Sequence, residues 1–239
     1  MKKCLICFII YNIRHNFKGG IVLATWIVHL RIADSFIKDG LIPDAFKAQF
    51  IIGSLSPDCG YDKKDSNGEF MPPPRVTHWT PDGDKTFCDS TGFYNTYLKD
   101  RTKDASYYFY YGYYIHLITD ILWSSCIHLP TKMKYHIEYE NDPEYLNLIK
   151  QDWYDLDFKF LKENPDFEPY TILCQSKKVE DYLPYYETGQ LSKQIQFIAD
   201  FYKDFKGTNP DREYKFLTPA DVDAFISIAF DLIKQKLEI

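Results

Sequence analysis

The sequence has almost none of the alternating apolar and polar runs that mark half-buried β-strands. It also has no proline-, glycine- or serine-rich spacer, no internal repeat and no low-complexity segment within its 239 residues. These absences argue against a sheet-based fold, a repeat protein and a chain divided by a linker. A chain of this length can bury one sizeable hydrophobic core. We therefore expect a single folded domain.

An excess of basic residues is also missing. The formal net charge is −6 and the isoelectric point is about 5.5. A broad positive surface for duplex nucleic acid or for an anionic membrane is therefore not expected. An anionic substrate would have to be attracted locally, for example by bound cations.

The six cysteines show no spacing typical of a zinc finger, and Cys4 and Cys7 form a lone CxxC pair. A reducing compartment is the simpler interpretation of this cysteine usage. We therefore expect a cytoplasmic protein, with secretion as the alternative if residues 1–22 are a true signal.

Residues 1–22 differ from the rest of the chain. A charged head is followed by a short apolar run, but no small-x-small cleavage site follows. The run is also far shorter than the roughly 20 residues of a membrane-spanning helix. Lys18-Gly19-Gly20 can be encoded by a purine-rich ribosome-binding sequence, and Leu23 by the start codon TTG. We therefore predict that residues 1–22 are translated leader and that residues 23–239 form the domain.

The patterns that are present are helical. Apolar residues recur at helical spacing from Ala24 to Gly40, and Asp104 is a plausible N-cap for a long aromatic helix that ends near Ile127, before Pro130. Further helices are predicted over 43–52, 87–98, 142–164, 187–205 and from Thr218 onward. The predicted fold is all-α, a compact single-domain bundle of many helices.

Two polar residues, His116 and Asp120, interrupt the aromatic helix of residues 104–127. Because residues four apart lie on one helix face, an imidazole and a carboxylate converge there, as ligands of one metal ion would. Three more candidates stand beside apolar sequence upstream: His29, Asp58 and His78. Nitrogen and carboxylate ligands without thiolate suit zinc or another borderline divalent ion, and bridging carboxylates suit a cluster of two. The sequence thus predicts a site for one or two divalent metal ions.

The ordered blocks around these residues resemble the bacterial zinc-dependent phospholipase C family, which is related in fold to the single-strand-specific zinc nucleases. The blocks are Ala24-Thr25-Trp26-Ile27-Val28-His29-Leu30, Gly53-xxx-Pro57-Asp58, Val76-Thr77-His78 and Gly112-Tyr113-Tyr114-Ile115-His116-xxx-Asp120. The resemblance implies an all-helical domain in which His29, Asp58, His78, His116 and Asp120 bind zinc, the last bridging two ions. It also implies hydrolysis of a small phosphate ester or a phospholipid. Asp58 is the candidate catalytic residue, orienting or deprotonating the attacking water.

The chain departs from this family at two points. Secreted members hold a third zinc with a histidine six residues after the HxxxD aspartate and with a later His-xxx-Glu or His-xxx-Asp pair, but position 126 is cysteine here. His128, His136 and Glu140 could be displaced versions of these ligands, or surface residues. The relatives also use their free N-terminus as a zinc ligand. If translation starts at Leu23 and the initiator is removed, Ala24 becomes that terminus.

Two other functions stay open at this point. The same site could serve a phosphomonoesterase or a nuclease acting on single strands, since aromatic residues can stack on bases. Alternatively, the chain could be a non-catalytic helical protein with a structural metal. The aromatic helix adds a further expectation, that its tyrosines line the substrate groove.

Overall fold

The computed structural model describes residues 24–62, 70–80, 88–142, 144–203 and 209–238. The predicted leader, residues 1–22, lies outside this part of the chain. The helices are α1 (Trp26–Lys38), α2 (Lys47–Gly53), α3 (Pro74–Thr77), α4 (Ser90–Tyr97), α5 (Ala105–Trp123), α6 (Leu129–Lys134), α7 (His136–Asn141), α8 (Tyr145–Glu163), α9 (Glu168–Gln175), α10 (Gln190–Phe201) and α11 (Pro219–Leu237). A short antiparallel pair, β1 (Tyr61–Asp62) and β2 (Phe70–Met71), joins them. The all-α prediction is confirmed.

Helix α5 is the centre of the bundle. The side chain of Asp104 caps it by accepting a hydrogen bond from the Tyr107 amide at 3.0 Å, as the sequence predicts. Every residue from Tyr108 to Trp123 is buried, so this helix has core on all sides. Helices α1, α2, α4 and α11 pack around it. A histidine or carboxylate on α5 is therefore inside the protein whichever way it points.

The C-terminal end of α5 differs from the prediction that Pro130 stops the helix. The chain stays helical through a π turn at Ser124–His128 and continues directly into α6. Proline offers no backbone donor, and the wide turn just before it rearranges the local hydrogen bonding, so Pro130 is accommodated within the helical path.

Helices α2 and α5 cross with their backbones in direct contact. A Cβ atom placed on Gly112 would lie 2.0 Å from the Phe50 carbonyl oxygen, and one placed on Gly53 would lie 2.0 Å from the Phe109 carbonyl oxygen. Only glycine permits this approach. The crossing brings the end of α2, with the Ser54 carbonyl, within reach of side chains on α5.

Helix α11 closes the bundle against α1 and α5. Its predicted start is confirmed, because Thr218 and Asp221 form a capping box. Ion pairs join Arg31 to Asp223 at 2.5 Å and Lys234 to Asp39 at 2.6 Å. Exposed pairs of this kind contribute only about 0–1 kcal/mol each. The buried apolar face of α11 therefore provides most of the packing energy.

Candidate metal centre

Two histidines from different helices meet in the core. His29 of α1 and His116 of α5 are buried, and their rings stack in parallel with centroids 3.7 Å apart. His116 Nδ1 lies 2.8 Å from the Ser54 carbonyl oxygen. A carbonyl can only accept, so Nδ1 carries the proton and a neutral His116 presents the lone pair of Nε2. The backbone crossing of α2 and α5 thus fixes the tautomer of a buried imidazole.

Asp120, one turn beyond His116, stands between three imidazoles. Its Oδ1 is 3.3 Å from His29 Nε2, and its Oδ2 is 3.0 Å from His116 Nε2 and 3.7 Å from His78 Nε2. The two carboxylate oxygens therefore face different histidines. Such an arrangement suits a carboxylate shared between two cations.

Asp58 and His78 reach the cluster from the loop side. Asp58 ends the short turn Ser56–Asp58, and His78 caps the C-terminus of α3. His78 Nε2 lies 3.2 Å from Asp58 Oδ1. The structure brings all five predicted residues together, in two overlapping groups whose ligand atoms lie within 4.8 Å of one another: His29, Asp58 and His116, and His78, His116 and Asp120.

Hydrogen bonds around the cluster hold its loops in place. His78 Nδ1 is 3.0 Å from the Thr77 hydroxyl, and the Tyr113 hydroxyl donates to the Thr77 carbonyl. The Tyr186 hydroxyl donates to the Ser56 carbonyl, two residues before Asp58. Such outer contacts orient ligands in metal sites. The buried α5 tyrosine Tyr113 thus holds a ligand-bearing loop.

The cluster contains polar atoms that are buried without a hydrogen bond. They are His29 Nδ1 and Nε2, His78 Nε2, His116 Nε2 and Asp120 Oδ2. A buried polar atom without a partner costs free energy. When His116 is neutral, its Nε2 lone pair also faces an anionic oxygen of Asp120 at 3.0 Å, which repels it. A cation bound between these atoms removes both penalties, so the residues present fit a divalent metal.

Both carboxylates are ionised at neutral pH. Burial acts to raise the pKa of Asp58, but His116 and His78 outweigh it, and the pKa lies below the ordinary value. Burial likewise acts to raise the pKa of Asp120, and His116 and His29 lower it well below its usual range. Two buried anions side by side require positive charge nearby.

The cluster opens into a cavity of about 640 Å³. Asp58 and His78 lie in its wall, together with Ala24, Thr25 and Trp26 at the start of α1. A volume of this size suits a small-molecule ligand or part of a lipid. The tyrosines in the wall are Tyr139 and Tyr154, from α7 and α8. The expectation that the α5 tyrosines line the groove is therefore not supported, since these tyrosines pack in the core instead.

A family model described as zinc dependent phospholipase C matches residues 28–196 of this chain. The match spans more than half of the sequence and contains all five residues of the cluster. The chain belongs to the zinc-dependent phospholipase C family. No curated protein and no solved structure matches it.

Membership of this family supports a hydrolase role and zinc as the metal. The candidate metal groups of buried histidines and aspartates agree with that class. In the part of the chain that the structure describes, no helix has both the length and the apolar character to cross a bilayer.

The residues considered for a third zinc do not assemble. His136 and Glu140 are exposed on α7, and His136 Nδ1 lies 3.2 Å from the Met133 carbonyl oxygen. His128 is buried and lines the cavity, whereas Cys126 is exposed. Among the described residues, none of these joins a group able to hold a metal. The displaced third site is therefore not supported by the structure.

Asp157 of α8 is a buried carboxylate that the sequence analysis missed. It accepts hydrogen bonds from the Thr25 and Tyr202 hydroxyls, both at 2.7 Å. Burial raises its pKa to about 7, although these hydrogen bonds act to lower it. Thr25 follows Ala24, so Asp157 anchors the chain just before α1. Its partners are more than forty residues away in either direction, and no local pattern indicates them.

Proposed function

We propose that this protein hydrolyses phosphate esters at a pair of zinc ions and that its substrate is a phosphodiester of the phospholipid type. The observation that carries the proposal is the cluster of three histidines and two aspartates at the wall of a cavity of about 640 Å³. Several polar atoms of this cluster are buried without a hydrogen bond. Family membership supplies the general chemistry.

The geometry supports a division of the ligands. Asp120 faces His29 with one oxygen and both His116 and His78 with the other. We assign Asp120 as the bridge between two zinc ions, with the histidines and Asp58 as the other ligands. Zinc pairs polarise phosphoryl oxygens and make water acidic enough to react near neutral pH.

Asp58 is the carboxylate best placed to meet a substrate. Its side chain is 12% exposed and lines the cavity, whereas that of Asp120 is 4% exposed and does not. We assign Asp58 the role of orienting the attacking water or taking its proton. His78 Nε2 lies 3.2 Å from Asp58 Oδ1, and both residues line the cavity.

A substrate screen on zinc-loaded protein tests this assignment. We expect turnover of a phospholipid or of a simple aryl phosphodiester, in preference to an aryl phosphomonoester and to denatured DNA. Asp58→Asn should lower kcat about 100-fold or more, since general-base catalysis contributes on that order. Asp44→Asn, at an exposed position of the α1–α2 loop, serves as the control.

Three results would overturn parts of this assignment. Hydrolysis of phosphomonoesters or single-stranded DNA alone would replace the phosphodiester substrate. If the protein contains no zinc and its stability is unchanged by chelators, the proposed catalytic function is wrong. Full activity of the Asp58→Asn protein would show that another group acts as the general base.

The position of Ala24 gives a prediction about how the first residue of the chain affects zinc binding. Its backbone nitrogen donates to Asp120 Oδ1 at 3.1 Å, so the beginning of α1 touches the cluster. An amide nitrogen is a poor ligand, but a free terminal amine at this point has a lone pair for zinc. We therefore expect protein that begins at Ala24 to bind its second zinc more tightly than protein that begins at Leu23 or Met1.

Zinc titration with a competing chelator measures this difference. The Leu23 form is the closest control, since it differs by one residue and contains the whole of α1. Equal stoichiometry and equal affinity in all three forms would contradict the prediction.

A further inference from the structure

The cavity has a second polar wall, separate from the five candidate ligands. His128, Lys132 and Lys150 lie there, on the π turn, α6 and α8. Tyr139 and Trp153 lie in the same wall. Among the described residues that line the cavity, Asp58 is the sole carboxylate, and it belongs to the metal cluster. This second wall therefore carries two ammonium groups.

Three polar atoms of this wall are buried without a hydrogen bond: His128 Nδ1, Tyr139 Oη and Trp153 Nε1. His128 and Trp153 are 7% and 2% exposed. The His128 ring centroid is 6.2 Å from that of Tyr139 and 6.4 Å from that of Trp153, so the three form one patch. Indole nitrogen can only donate, and a phenol can donate. Within the described part of the chain, two donors of the patch thus have no acceptor.

The two lysines add charge to the same patch. Lys132 Nζ is 6.0 Å from the Tyr139 ring centroid. Burial, together with the charges of Lys132 and Lys150, lowers the pKa of His128 to about 4. Both ammonium groups are thus close enough to act on His128, which stays neutral at physiological pH. Neutral donors flanked by ammonium groups form a site that attracts anions and repels cations.

We propose that this wall is an anion-binding subsite and that the substrate carries a second anionic group, a phosphate or a carboxylate, besides the ester that is cleaved. Lys132 and Lys150 provide the charge, and the unpartnered donors provide hydrogen bonds to the anionic oxygens. The aromatic rings could instead cage a quaternary ammonium, as cation–π sites do. Two lysines at the same place oppose that alternative. The inference rests on the proposed hydrolysis, because it concerns the same cavity.

The first test compares four aryl phosphodiesters that differ only in the group esterified to the phosphate besides the aryl group. This group is an alkyl chain that carries a phosphate, an alkyl chain that carries a carboxylate, a neutral ethyl group, or choline. We expect zinc-loaded protein to prefer an anionic ester, and the double variant Lys132→Gln/Lys150→Gln to lower the ratio of anionic to neutral kcat/KM by about 10-fold or more. The phosphate and carboxylate arms show which anion the subsite takes. Lys103→Gln/Lys178→Gln changes the same number of charges at exposed positions and should leave the ratio unchanged.

A second test does not depend on activity. Inorganic phosphate is titrated into zinc-free protein, and Trp fluorescence and calorimetry follow binding. Binding that is lost in Lys132→Gln/Lys150→Gln and kept in Lys103→Gln/Lys178→Gln supports the subsite even if no ester is hydrolysed. Preference for the choline ester would overturn the subsite. So would a Lys132→Gln/Lys150→Gln protein in which both the ratio of anionic to neutral kcat/KM and phosphate binding are unchanged. Either result leaves the proposed hydrolysis intact.

Discussion

Asp120→Asn is expected to lower kcat/KM for any phosphate ester about 1,000-fold or more and to leave at most one zinc per chain. The carboxylate faces three imidazoles at 3.0 to 3.7 Å, and each of its oxygens serves a different part of the cluster. Asparagine keeps the shape but has one oxygen and no charge, so it cannot bridge two cations. Loss of metal-based charge stabilisation costs several kcal/mol of transition-state energy, which corresponds to this factor.

The measurement combines zinc content with steady-state kinetics on the same sample. Asp34→Asn is the matched control, because Asp34 is a mostly buried aspartate of α1 whose contact is Lys38 at 2.7 Å, outside the cluster. It should keep both zinc ions and full activity. An Asp120→Asn protein with two zinc ions and normal turnover would show that the bridge lies elsewhere.

The second large effect is on stability. Gly112→Ala should lower the free energy of unfolding by about 3 kcal/mol or more, as severe overpacking does. The new methyl group would lie 2.0 Å from the Phe50 carbonyl oxygen and 2.8 Å from the Ser54 amide nitrogen. Both atoms are backbone, so a rotamer change cannot relieve the clash, and α2 must move away from α5.

Gly40→Ala makes the same chemical change with a different cost. Gly40 has a φ of +74°, and no atom lies within 4 Å of the point where its new methyl group would stand, so its penalty is conformational strain of about 1 kcal/mol. Denaturant unfolding of both variants separates the two mechanisms. Equal destabilisation would mean that the contact between α2 and α5 is not as rigid as the structure indicates. Any Gly112→Ala protein that folds should also bind zinc more weakly, since the Ser54 carbonyl no longer reaches His116.

Local rules predicted the parts of the site that depend on short spacing. His116 and Asp120 share a face because they are one helical turn apart, and Asp104 and Thr218 are caps because their side chains reach the next turn. The fold class followed from apolar spacing in the same way. The ordered blocks added His29, Asp58 and His78, and the structure brings them together, while their role as zinc ligands stays a prediction.

Features that depend on distant contacts were not accessible from the sequence. Asp157 finds its partners on α10 and before α1, and the second wall combines residues of α6 and α8 that no spacing links. Pro130 was expected to lie beyond the end of a helix, but the chain stays helical through the π turn before it. His136 and Glu140 looked like a ligand pair by spacing, yet the face of α7 on which they lie is exposed.

Two indole rings, Trp26 and Trp153, stand in the cavity wall, one near the cluster and the other in the second wall. Trp26 also packs edge-on against Phe201, with centroids 5.4 Å apart, and Trp153 against Trp123 at 5.3 Å. Of the four tryptophans in the sequence, these two line the cavity. Comparing the fluorescence of the Trp26→Phe and Trp153→Phe proteins therefore separates binding at the candidate metal centre from binding at the second wall, without any external label.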